Sequence, residues 1–114
     1  MHDHYRPTAL DLLMDVMPSV KKLFEGIRSH DKNLAAQVRD AAASVILNHA
    51  EANGSDAGNA RARVYTAYGS LWEVRKGLLL AAAWDYVDAD EVRRVEALLD
   101  RASAMTYRRL HPKR

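Results

Sequence analysis

The sequence predicts an all-α protein: an antiparallel, up-down-up-down four-helix bundle. Three observations predict it. Proline and glycine are scarce, three and five among 114 residues. Apolar side chains recur at steps of four and three over long segments, and no segment alternates with the period of two that marks a half-buried strand. The breaks between segments are short, at about 29–32, 53–56 and 87–89. Links of that length between long helices force antiparallel neighbours.

The first helix is expected over about 7–29. Ala9, Leu13, Val16, Val20, Leu23 and Ile27 make one continuous apolar stripe. Pro18 lies inside it, removes one backbone hydrogen bond and predicts a kink near Met14–Met17. The second helix is expected over 32–53, with Asp31 as the N-cap that accepts from a first-turn amide. Gly54 is placed just past its end, in the left-handed conformation that glycine tolerates. Its inner stripe is Leu34, Val38, Ala41, Val45 and Asn48.

The third helix is expected over 57–86, a rod of roughly 42 Å at 1.5 Å per residue. Ala60, Val64, Ala67, Leu71, Val74, Leu78 and Ala81 form an unbroken seam. A second apolar edge carries Tyr68, Trp72 and Leu79, with Leu80 and Trp84 at other angles. A helix apolar on more than one side needs more than one partner. Gly69 and Gly77 each disfavour helix by about 1 kcal/mol, which predicts close helix contact at both. The fourth helix is expected over 89–110. A capping box formed by Asp88 and Glu91 opens it. Val92, Val95, Leu98, Leu99, Ala102 and Met105 line it, and Pro112 ends it.

Composition excludes several classes of function. Apolar residues make up 48%, enough for the core of one domain spanning 1–114. Without cysteine there is no disulfide framework, thiolate zinc site, iron–sulfur cluster or cysteine nucleophile. No apolar run approaches the roughly 20 residues that span a bilayer, and the N-terminus lacks a signal-peptide pattern. A cytoplasmic protein without membrane partners is expected. Charge is uneven: residues 1–57 carry six Lys and Arg against eight Asp and Glu, residues 58–114 eleven against seven. The basic end, Arg101 with Arg108, Arg109, Lys113 and Arg114, complements a helix C-terminal dipole and also attracts polyanions such as nucleic acid.

No catalytic constellation stands out. Ser44 and Ser70 lie in helix interiors without a nucleophile elbow, and are expected to bond their own helix or a facing polar group. His49 has no partner at di-iron or zincin spacing. His2 and His4 are too few and too terminal to preorganise a metal. The segment Gly54–Gly58 reads as a loop, since no strand precedes it and no Gly-Lys-Ser/Thr follows. No cofactor, metal or catalytic residue is assigned. The unusual feature is polar: Asn48 continues an apolar stripe, and Glu51 follows on nearly the same face. With Ser44 and Arg61 they are expected to form either a register-fixing polar cluster or the floor of a small-ligand site.

Two stretches carry a resemblance. They are Leu34–Gly54, "LAAQVRDAAASVILNHAEANG", and Ala67–Val74, "AYGSLWEV". Leu34, Gln37, Arg39, Ala41, Ala42, Ser44, Asn48, Ala50 and Glu51, then Ala67, Gly69, Ser70 and Glu73, resemble the 23S rRNA intervening-sequence protein family. Asp40, Val45, His49 and Ala52 depart from its pattern, and its early tryptophan is missing from the first helix. The resemblance implies a small up-down bundle. It favours a homopentameric ring and, through the accessory proteins of diversity-generating retroelements, contact with structured RNA or a reverse transcriptase-like protein.

Two functions follow. One is a non-enzymatic module that self-associates through Tyr68, Trp72 and Leu79 and meets nucleic acid through its basic end. The other is a small-ligand binder or weak enzyme built on Ser44, Asn48, Glu51 and Arg61.

Overall fold

A computed structural model of the chain describes residues 6–113. It contains four helices in order: α1 (Ala9–Arg28), α2 (Lys32–Asn53), α3 (Ala57–Ala83) and α4 (Ala89–Leu110). They pack as α1 on α2, α2 on α3, α3 on α4 and α4 back on α1. Paired ends show the antiparallel sense: Lys22, late in α1, meets Glu91, early in α4, at 3.4 Å, and Glu51, late in α2, meets Arg63, early in α3, at 3.5 Å. The principal dimensions are 44 × 31 × 23 Å.

The apolar stripes are where their spacing puts them. All six stripe residues of α1 are buried, from Ala9 to Ile27. Along α3, Val64, Ala67, Leu71, Val74, Leu78 and Ala81 are buried, and Ala60 is half-buried in the first turn. On α4, Val92, Val95, Leu99 and Ala102 are buried, while Leu98 is exposed and Met105 half-buried. Thr106 and Leu110 complete that stripe instead, because the inward face drifts around a straight helix.

The helix ends correct the sequence reading in several places. α1 opens with a capping box: the Asp11 amide donates to Thr8 Oγ1 at 3.1 Å, and the Thr8 amide donates to Asp11 Oδ2 at 2.9 Å. At α4 the expected box is absent. Asp88 accepts from the Asp90 amide at 3.4 Å, and Glu91 is drawn to Lys22. α3 stops at Ala83, three residues early. The Tyr86 amide donates back to the Ala81 carbonyl and the Asp85 amide to that of Ala82, at 2.8 and 3.1 Å. This is a Schellman closure. Its left-handed residue is Asp85, with φ of 60°. Gly54, expected in that conformation, has φ of −105°. Asp31 caps α2 as read, accepting from the Leu34 amide at 2.9 Å.

The α2–α3 contact is the closest in the bundle, and Gly77 accounts for it. A Cβ there would stand 2.6 Å from Val38 Cγ2. Gly69 is different: nothing lies within 4 Å of its would-be Cβ. It is exposed, so the close contact expected at both glycines exists at one.

Candidate interaction surface

The third and fourth helices together present an outward aromatic strip. Tyr68 is its half-buried centre, with ring centroids 6.4 Å from Trp72 and 6.0 Å from Tyr107. Tyr107 continues to His111 at 4.3 Å, and His111 meets Tyr65 at 6.4 Å. Trp72 is 36% exposed, Tyr65 47% and Tyr107 50%. Farther along α3, Leu79 and Leu80 remain exposed, as does Trp84 at its C-cap. Of the residues assigned to an oligomer interface, Trp72 and Leu79 are therefore open to solvent in a single copy, and Tyr68 partly so. Tyr65 joins them, and so do Tyr107 and His111, which the sequence reading did not place there.

The strip is electrically marked. Arg75 is buried, and its guanidinium donates through Nε to both Glu96 oxygens, at 3.2 and 3.0 Å, and through a terminal nitrogen to Asp100 at 3.0 Å. Its guanidinium carbon lies 4.4 Å from the Trp72 ring centroid, and Lys76 Nζ lies 5.3 Å from the same ring. Planar stacking plus bidentate hydrogen bonding is what arginine offers and lysine does not. The Glu96 hydrogen bonds hold the Arg75 pKa above its ordinary value, against the effect of burial. Arg75 thus cross-links α3 to α4 and fixes the angle of Trp72. The sequence reading missed it. Matching helix levels would have found it: when α3 turns into α4 near residue 86, position 75 falls opposite 97, between Glu96 and Asp100.

The basic end divides. Arg101, Arg108, Arg109 and Lys113 are exposed; Arg114 lies outside the described residues, as do His2 and His4. Arg61 donates to the Leu110 carbonyl at 2.7 Å, closing the end of α4, with its guanidinium carbon 5.2 Å from the Tyr65 ring centroid. A helix C-terminus welcomes such a cation.

The four residues of the expected polar cluster do not act as one group. Ser44 Oγ and Ser70 Oγ lie 2.7 Å apart across the α2–α3 contact. Asn48 Nδ2 donates to the Ser44 carbonyl at 2.9 Å and to Ser44 Oγ at 3.2 Å. Its Oδ1 is buried with no hydrogen-bond partner. Glu51 instead pairs with Arg63 at the surface, and Arg61 turns to α4. What remains is a small polar lock of Ser44, Asn48 and Ser70 in the helix contact.

His49 is another buried polar residue that the sequence reading left unplaced. It is 2% exposed, with Nε2 3.5 Å from Thr106 Oγ1. The Thr106 hydroxyl already donates to the Ala102 carbonyl at 2.8 Å, so any bond at this contact needs its hydrogen from His49 Nε2. Burial, then the Arg109 charge, push the His49 pKa below 6.5. Among the described residues no group of three or more His, Asp or Glu is placed to hold a metal ion, and no helix is long and apolar enough to cross a membrane.

These features define a class: a small antiparallel four-helix bundle with an aromatic, cation-flanked outer surface. Comparison with known proteins narrows it. The sequence profile of the 23S rRNA-intervening sequence proteins matches residues 8–108, and the chain belongs to that family. Among solved structures, a protein of unknown function from the S23 ribosomal protein family of Bacteroides thetaiotaomicron superposes with a TM-score of 0.83. The match covers 91% of this chain and 99% of that one at 12% identity, so the likeness is one of fold. Among curated proteins nothing matches the chain.

Proposed function

We propose that the protein is a non-enzymatic, self-associating bundle of the cytoplasm, which docks its copies through the α3–α4 face and contacts nucleic acid, or a protein that processes it, through its basic end. One observation carries the reading: the aromatic strip of Tyr65, Tyr68, Trp72 and Tyr107 is continuous and left open by the single chain. Aromatic side chains with arginine are the usual anchors of protein interfaces. The ring of five subunits favoured by the family resemblance is the assembly to look for. Arg101, Arg108, Arg109, Lys113 and Arg114 supply the polyanion contact, and RNA is the first partner to try given the family's name.

Light scattering and equilibrium sedimentation test the assembly. The wild-type chain is expected above monomer mass at micromolar concentration. Leu79→Glu and Trp72→Glu, each checked for helicity, are expected to return it to monomer. A stable wild-type monomer removes the assembly. Filter binding with structured RNA at increasing salt tests the contact. Each phosphate neutralised adds about 0.9 to the log–log slope on duplex DNA and about 0.7 on single strands. Replacing Arg108 and Arg109 with Gln is expected to lower the slope. Salt-independent retention removes the nucleic-acid half.

A further inference from the structure

On the side of the bundle away from the aromatic strip, α1 and α2 line an open groove of about 620 Å³. That lies within the range of roughly 300–1,000 Å³ typical of small-molecule sites. Its origin is local. Pro18 has no amide hydrogen, so Met14 loses the donor its carbonyl would use, and the ring crowds that carbonyl. Across from it the apolar residues that α2 offers are the small Val38 and Ala42, so the helices leave space between them. Met14, Met17 and Phe24 wall it, and methionine suits a site that must adapt its shape.

Two of the lining residues are charged, Lys21 and Arg39, and no acid lines the groove. The α1–α2 turn sets their level. Arg28 ends one helix and Lys32 starts the next, so position 21 falls opposite 39. The two cations thus flank one level of the groove, on opposite helices. Arg39 also bonds Asp40 through Nε and a terminal nitrogen, both at 3.1 Å, which leaves its other terminal nitrogen to a ligand. From that level to Met14 is seven residues, about 10 Å of apolar wall at 1.5 Å per residue. An anionic head between Lys21 and Arg39 with a medium-length hydrocarbon tail running toward Met14 fits both the charge and the length.

We propose that the α1–α2 groove is a binding site for a single-chain amphiphile with an anionic head, a medium-chain carboxylate, held by Lys21 and Arg39 at the head and by Met14, Met17 and Phe24 along the tail. It does not depend on the α3–α4 face.

Methionine-methyl NMR on the full chain tests it, with decanoate as the probe. Met14 and Met17 report the groove, and Met105, half-buried on α4, is the internal control. Decanoate is expected to shift the Met14 and Met17 signals saturably and leave Met105 in place. Decanol, with the same tail and no charge, is expected to bind about tenfold more weakly, since a charge-assisted pair contributes about 1.5 kcal/mol. Lys21→Glu with Arg39→Glu alters exposed side chains only, and is expected to weaken decanoate by at least that factor while leaving decanol unchanged. Ala42→Phe fills the groove and is expected to abolish both; if it fails to fold, the charge-reversed pair still decides. Equal binding of decanol and decanoate overturns the proposal. So do shifts that never saturate, a Met105 signal that moves with the others, or groove signals that respond to protein concentration alone, as when a second copy covers the site.

Discussion

Leu71 and Trp72 are adjacent in sequence, yet Leu71 is inaccessible to solvent and Trp72 keeps 36% of its surface exposed. They stand for two sides of α3. The inner side, Val64 to Ala81, is aliphatic, small at Ala67, Gly77 and Ala81, and closed against α2 and the core. The outer side is aromatic, crossed by the Arg75–Glu96–Asp100 network, and open. Burial near 25 cal/mol per Å² rewards the inner side within one chain. The outer side gains the same only by meeting something else. Stability and interaction are thus divided between two faces of one helix.

The largest test of that division is Leu71→Ala. A fully buried leucine truncated to alanine costs about 2–5 kcal/mol, and urea titration is expected to show a loss in that range. Arg75→Ala comes next, at about 1–3 kcal/mol, because half-buried Glu96 is left without its main partner. Asp100→Asn, at an exposed side chain, is expected to change stability by under about 1 kcal/mol. If Asp100→Asn matched Arg75→Ala, the network would be anchored from the outside. A glycine pair sharpens the contrast at smaller scale. Gly77→Ala meets Val38 at 2.6 Å, and overpacking of about 1–3 kcal/mol outweighs the helix gain of about 1. Gly69→Ala meets nothing and is expected to stabilise by about 1 kcal/mol. Equal effects at the two sites would erase the distinction between the faces.

The smallest expected effect is on pH dependence. His49 is held neutral by burial and by Arg109, below its ordinary 6.5. Below pH 6.5 the unfolded chain binds a proton there that the folded chain resists. Stability is therefore full above 6.5 and falls as pH drops from 6.5 through the lower folded value. His49→Gln is expected to flatten that part of a stability–pH curve and leave the carboxylate region below about pH 5 unchanged.

Much of the fold was legible. The stripes of α1 and α3, the cap at Asp31 and the three turns all follow from residues within a few positions of one another. The candidate surface was half legible. Tyr68, Trp72 and Leu79 declare an extra apolar side at helical spacing, whereas Tyr107 and His111 join them only because α4 lies alongside α3 at one particular level. The same holds for Arg75, which looks like any surface arginine until Glu96 and Asp100 are placed beside it. Asp85 shows the converse: glycine is the usual sign of a left-handed helix stop, and here an aspartate takes it while Gly54 does not.

By itself, the sequence determined four helices, their inner faces, their antiparallel order and an apolar surplus on the third. Those are consequences of local geometry, in which a side chain's direction follows from its place in a 3.6-residue turn. The tertiary structure alone decided which polar groups meet in the helix contacts: Ser44 with Ser70, and His49 with Thr106. The reason is that contact between helices depends on their relative sliding and rotation. A shift of one residue in that register moves a side chain by 100°, and no short-range pattern records it.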